Sequence, residues 1–138
     1  MIETIEEYLT DTFKNNRNRL AHIQRVKKMA LELNDVYKVP EAKVIVASLL
    51  HDATKNLNYQ ENLDLASKMY SKELLDEIPE SCLHAFSASA LATRSFHIED
   101  QDTLNAIAYH CTGRKQMSPL EMLVFISDYI EEERDFVS

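Results

Sequence analysis

The sequence predicts an all-α fold, a single domain of about seven or eight helices. Three observations carry that prediction. Apolar residues recur at helical spacing along the chain, at positions 2, 5, 9 and 13 and again at 23, 26, 29, 30 and 33. One glycine, Gly113, and three prolines are too few turn-formers for a sandwich or a barrel. At 138 residues, 45% hydrophobic and 28% charged, the chain has the size and composition of one globular domain.

The elements follow in order. Ile2 to Phe13 forms the first helix, and the polar run KNNRN at 14–18 turns the chain. A second helix runs from Arg19 to about Tyr37 with one apolar face. Pro40 suits the first turn of the next helix, 41–54, whose VIVASLL run marks it as central to the core. Asn56 to Asn58 is a loop. Shorter helices at 60–69 and 71–78 precede one opened by Pro79 and Ser81 that runs to about Phe96. Gln101 to Cys111 is the next, with Gly113 as its stop. Ser118 caps the last helix, Pro119 takes its first position, and Glu121 lies three beyond the cap. The final EEERDFVS is acidic and reads as a frayed end.

Charge narrows the function. Fifteen Lys+Arg against 23 Asp+Glu give a net charge of -8, which disfavours nucleic-acid polymers as partners. A small nucleotide whose charge a metal neutralises remains open. With one glycine there is no P-loop and no dinucleotide fingerprint. Cys82 and Cys111 fit a reduced cytoplasmic protein better than a disulfide scaffold, and without a CxxC pair a structural zinc site is not expected. The first residues carry Glu3, Glu6, Glu7 and Asp11 and no basic stretch, unlike a signal peptide. No apolar run approaches the ~18 residues of a membrane span. The expectation is a cytoplasmic protein with no membrane partner.

The informative residues are polar groups on apolar helix faces, because an unpaired buried charge costs several kcal/mol or more. Asp52 follows VIVASLLH, and Asp128 sits inside LVFISDYI. Either acid alone is as well explained by an ion pair or a helix end. His22, His51, His84 and His110 share inward faces with apolar neighbours, while His97 reads as surface. Any one of these is more often a satisfied core histidine. Four together with two acids point instead to a metal site, of the kind that takes iron, manganese or zinc rather than calcium. Lys55 lies four residues after His51 and three after Asp52, on their face one turn on, where a cation could hold phosphate oxygens. A rival site pairing Cys82 with His84 and Cys111 with His110 fails, since residues one or two apart on a helix diverge.

Taken in order, His22, His51-Asp52 and Asp128 resemble the HD-domain metal-dependent phosphohydrolase superfamily, and His84 and His110 resemble the extra ligands of its binuclear branch. Four segments resemble the YqeK-type symmetrical diadenosine tetraphosphate hydrolases more closely. They are Arg19-Leu-Ala-His22, Ala47-Ser-Leu-Leu-His-Asp-Ala-Thr-Lys55, Asn105-Ala-Ile-Ala-Tyr-His-Cys-Thr-Gly-Arg114, and Asp128-Tyr-Ile-Glu131 followed by Arg134-Asp135. The likeness covers nearly all of the chain from Arg19 onward. Family members usually continue with another helical segment after the DYIE region, whereas here ten residues follow Asp128, from 129 to 138.

The resemblance implies a set of roles. His22, His51, Asp52 and Asp128 would hold one metal, and Asp52 would bridge to a second held by His84 and His110. Iron is the expected metal, with manganese and zinc as alternatives. Lys55 would act with Asp52 in catalysis, beside the phosphates. Thr112, Gly113 and Arg114 would line the pocket rim, with Arg114 meeting phosphate. The chain then divides into an N-terminal helix and turn (1–18), a metal-binding core (19–130) and an acidic end (131–138). The implied reaction is attack of a metal-activated water on an inner phosphorus of diadenosine tetraphosphate, releasing two ADP. A homodimer is the implied assembly. Two other functions fit the pattern: an HD nucleotidase acting on other nucleotides, and a non-catalytic nucleotide-binding module. Substrate assays separate the first, and the complete ligand set with Lys55 argues against the second.

Overall fold

The computed structural model describes residues 1–137, with side chains described as far as Glu133. Eight α-helices follow one another: α1 (Ile2–Thr12), α2 (Arg17–Tyr37), α3 (Glu41–Leu50), α4 (Tyr59–Ala66), α5 (Lys72–Asp76), α6 (Leu83–Phe96), α7 (Gln101–Ala108) and α8 (Pro119–Val137). A short 3-10 turn, Glu80–Cys82, leads into α6. No strand occurs among the described residues.

Local chemistry sets the helix ends. Asn16 accepts the Arg19 backbone N–H at the start of α2. Lys38 stops it in the left-handed region, its N–H returning to the Asn34 carbonyl. Asn58 and Glu61 form a reciprocal capping box at α4. Ser118 and Glu121 do the same at α8: the Ser118 hydroxyl accepts the Glu121 N–H at 3.1 Å, and the Glu121 carboxylate accepts the Ser118 N–H at 2.9 Å.

α2 packs against both α3 and α8, and α7 packs against α3, α6 and α8. Ile5, Leu9 and Phe13 of the N-terminal segment close the core over α3 with Ile23, Leu49, Leu50, Ile107, Leu120 and Leu123. Burying each such side chain contributes about 1.5–3 kcal/mol. Leu49→Ala would cost on the order of 2–5 kcal/mol through lost burial and a cavity. α6 is buried around most of its girth, and its Ala85, Ser87, Ala88, Ser89, Ala90 and Ala92 let α4 and α7 approach closely. A second apolar cluster sets Phe86 edge-on between the rings of Tyr70 and Tyr109.

Several elements depart from the sequence reading. α3 ends at Leu50, four residues short of the expected 54, so His51 and Asp52 stand in the turns that follow. There the backbone changes to tighter bonds, Ala53 N–H to Leu50 O and Lys55 N–H to Asp52 O. α7 likewise stops at Ala108, before His110. Gly113 ends the following turn at φ +67, a conformation that favours glycine. The acidic segment after Asp128 is helical rather than frayed through Val137, and Glu131 is buried against Arg25 at 3.3 Å. The side chains of Arg134 and Asp135, and Ser138, lie outside the described residues.

Cys82 and Cys111 correct the expectation of reduced thiols: they form a disulfide, with Cα atoms 5.5 Å apart. The 3-10 turn before α6 and the turn after α7 bring them together, a proximity that composition alone could not show. Among the described residues no helix is long and apolar enough to cross a membrane.

Candidate metal centre

Five segments converge on one buried cluster. α2 supplies His22, the turn after α3 supplies His51 and Asp52, α6 supplies His84, the turn after α7 supplies His110, and α8 supplies Asp128. The four histidines and Asp52 are buried, and Asp128 is 15% exposed.

Two donor groups form around Asp52. In the first, the ligand atoms of His22, His51, Asp52 and Asp128 all lie within 4.8 Å of one another. His22 Nε2 is 3.0 Å from Asp128 Oδ1 and 3.6 Å from Asp52 Oδ2. His51 Nε2 is 3.2 Å and 3.5 Å from the same two oxygens. In the second group, Asp52 Oδ1 lies 3.1 Å from His84 Nε2 and 3.5 Å from His110 Nε2. The two oxygens of one carboxylate thus face different pairs of imidazoles.

Backbone carbonyls orient two of the rings. His51 Nδ1–H donates to the Ser48 carbonyl, and His110 Nδ1–H donates to the Ile107 carbonyl at 2.8 Å. Each bond turns the opposite nitrogen toward the acids, as second-shell bonds do for metal-binding histidines. Thr54 locks the turn onto α6 by donating to the His84 carbonyl at 2.8 Å.

The charges of the cluster shift one another. Burial would lower the His51 pKa, but the charge of Asp52, the hydrogen bond to Asp128 and the Ser48 carbonyl push it up to about 9. Burial would raise the Asp52 carboxyl, yet the His51 charge and hydrogen bonds from His110 and His84 hold it well below the usual carboxylate range. Asp128 is also lowered: hydrogen bonds from His22 and His51 outweigh its burial. His84 goes the other way, because burial keeps it below the ordinary imidazole value. Imidazole nitrogens and carboxylate oxygens crowded in a buried space suit a divalent metal.

The remaining predicted residues lie around this cluster. Lys55 is exposed and lines a cavity of about 480 Å³ with Leu57, Tyr59, Asn62, Leu83 and His84. Its charge reaches His84 and disfavours protonation there. Thr112 and Gly113 follow His110 on the surface turn, where the Thr112 hydroxyl donates to the Gly113 carbonyl. Arg114 forks onto Glu121, Nε to Oε1 at 2.7 Å and Nη2 to Oε2 at 3.0 Å, and its guanidinium lies over the Tyr109 ring. His97 is exposed, as expected. Two groups at the centre escaped sequence reasoning. Arg19 Nη1 donates to Asp52 Oδ2 at 2.8 Å and to Glu132 Oε1 at 3.2 Å. Glu132 Oε1 also lies 3.3 Å from His22 Nε2. The available signal was spacing: Arg19 is one turn before His22, and Glu132 one turn after Asp128.

The family model for the HD domain matches residues 19–133, a span that contains all six clustered residues. The chain belongs to the HD domain family. Among its curated relatives are proteins named symmetrical bis(5'-nucleosyl)-tetraphosphatase. That of Halalkalibacterium halodurans is 30% identical over 98% of this chain, that of Staphylococcus aureus 34% over 84%, and that of Bacillus subtilis 33% over 86%. This HD domain chain spans 69%, 60% and 64% of their respective lengths. A crystal structure from Clostridium acetobutylicum, described as a predicted HD superfamily hydrolase involved in NAD metabolism, superposes with a TM-score of 0.84 at 32% identity. That match covers 95% of this HD domain chain and 69% of the other.

Proposed function

We propose that this chain is a metal-dependent phosphohydrolase that cleaves diadenosine tetraphosphate symmetrically into two ADP. The observation that carries the reading is Asp52, whose two oxygens face the His22/His51 pair and the His84/His110 pair. A carboxylate so placed suits two cations at once. The names of the three bacterial relatives supply the substrate.

In this reading His22, His51, Asp52 and Asp128 hold one metal, and Asp52, His84 and His110 a second. Iron is our first choice, with manganese and zinc as alternatives. Bound there, such metals would supply Lewis acidity toward water and a phosphoryl oxygen. The protein supplies the rest. The Ser48 and Ile107 carbonyls hold the imidazoles of His51 and His110 in one tautomer and orientation. Lys55, beside His84, neutralises charge that builds on the phosphoryl group. The cavity between Tyr59 and Leu83 can hold one nucleoside, so that contacts on one half of the substrate select the inner phosphorus. Thr112, Gly113 and Arg114 form the rim. Arg114 is already neutralised by Glu121, so its part is to hold the turn that carries His110 and to reach phosphate only by exchanging that partner. We place the protein in the cytoplasm and, by analogy with the family, as a homodimer, with residues 19–130 as the working core.

The test is product analysis. Incubation with diadenosine tetraphosphate and iron or manganese should give ADP as the sole product by chromatography. Equal ATP and AMP, or turnover of mononucleotides alone, would overturn symmetrical cleavage and favour a different nucleotide phosphohydrolase.

A further inference from the structure

Arg19 projects from α2 one turn before His22, with its side chain 22% exposed. Its guanidinium donates to Oδ2 of Asp52 at 2.8 Å. That oxygen is also the one that faces His22 and His51. Arg19 therefore occupies the side of the bridging carboxylate that belongs to the first donor group. Its second contact, Glu132 Oε1 at 3.2 Å, is on a side chain 47% exposed, so the pair stands at the solvent side of the cluster.

A guanidinium does not lose its proton in a protein. A divalent cation among His22, His51, Asp52 and Asp128 would place two positive charges against one carboxylate oxygen, and their repulsion favours release of Arg19. Arg19 then needs another anion. Glu132 can engage only part of a fork with five N–H donors. A phosphate arriving from solvent offers the oxygens that match the rest of the fork.

We propose that Arg19 is a phosphate-binding residue that changes partner, holding Asp52 in the metal-free protein and a substrate phosphoryl group once metal is bound. The proposal rests on the phosphohydrolase reading and adds to it a residue with two partners. A merely structural Arg19 makes the opposite prediction for metal, since loss of a strut would loosen the donors.

Calorimetric titration of manganese, and of inorganic phosphate into the manganese-loaded protein, tests it on wild type, Arg19→Gln, Arg19→Lys and Glu132→Gln. Arg19→Gln should take manganese several-fold more tightly, because a competing cation is gone. The same variant should bind phosphate roughly tenfold more weakly, the scale of a lost hydrogen bond to a charged group. Arg19→Lys should fall between, and Glu132→Gln should bind phosphate more tightly. Unchanged phosphate affinity in Arg19→Gln, or weaker manganese binding, overturns the assignment. If Arg19→Gln does not fold, Arg19→Lys decides on the same phosphate criterion. A wild type that takes up no manganese overturns the metal centre and this role with it; normal wild-type uptake beside an indifferent Arg19→Gln overturns Arg19 alone.

Discussion

Oδ1 of Asp52 stands 3.1 Å from Nε2 of His84, while Oδ2 of the same side chain is turned to His22, His51 and Arg19. One residue therefore serves both donor groups, and its loss should be felt by both. Asp52→Ala should lose most bound metal, with affinity falling by more than the roughly 10–100-fold typical of a lost outer-shell partner. His84→Gln touches only the second group and should keep one equivalent. Elemental analysis of the purified variants reads the difference directly, and full metal content in Asp52→Ala would show the site to be wrongly assigned.

Metal removal should cost stability. The donors come from segments far apart in sequence, so an ion bound only by the folded state stabilises it by mass action. At a free concentration of 100 times Kd this is about 2.7 kcal/mol. A chelator should lower the melting temperature by about 10 °C for a domain of this size, and added iron or manganese should restore it. An unchanged melting curve after verified removal would contradict this.

Lys55 is exposed and its side chain is not among the clustered metal-ligand candidates, so Lys55→Ala should leave metal content unaltered. Hydrolysis should fall on the order of 10²-fold, by analogy with a lost oxyanion donor. Steady-state rates beside elemental analysis separate the two effects. Parallel loss of metal would make Lys55 part of the scaffold.

Glu121 gives a pH dependence away from the metal donors. Burial would raise its carboxyl, but the hydrogen bond from Arg114 and the bonds from Ser118 hold it below its ordinary value of 4.5. A carboxylate lowered on folding stabilises above its unfolded pKa, and that contribution fades as pH falls through the folded value. Wild type should therefore lose stability below about pH 4.5 more steeply than Glu121→Gln. Urea midpoints at pH 6 and pH 3.5 make the comparison. Equal losses in the two proteins would remove Glu121 from the acid response.

The disulfide closes a loop of 29 residues between the segments that carry His84 and His110. In the chain-entropy model a loop of that length is worth about 3–4 kcal/mol. Reduction, or Cys82→Ser with Cys111→Ser, should lower stability by up to that amount and weaken the second metal equivalent more than the first. Metal titration of the double variant, read against denaturation, checks both parts.

Much of this was legible in the sequence because burial imposes periodicity. The helices, the Ser118–Glu121 box and the inward faces of His22, His84 and Asp128 follow from apolar spacing and from polar residues that interrupt it. What was missed depends on tertiary contacts. The apolar run through VIVASLL gave no sign that α3 would stop at Leu50, because Thr54 bonds to α6 and the tightened turn both come from packing. Glu131 looked like part of a solvated acidic tail, yet α8 carries it against Arg25 across a separation of 106 residues. Arg19 stood in the sequence only as the start of the second helix and of the Arg19–His22 segment; its partners appear when α8 and the turn after α3 close around it. The cysteines showed their count but not their proximity.

His22 and Asp128 meet across 106 residues of chain. At the ribosome, where synthesis adds about 5–20 residues per second, the first donor would wait roughly 5–20 s for the last. Until α8 has emerged and docked on α2, the nascent chain offers His22, His51 and Asp52 without Asp128, and the first group is incomplete. Loading of the first group would then report that α8 has docked, and an ion retained there against a chelator would certify a chain in which α8 has found its place on α2.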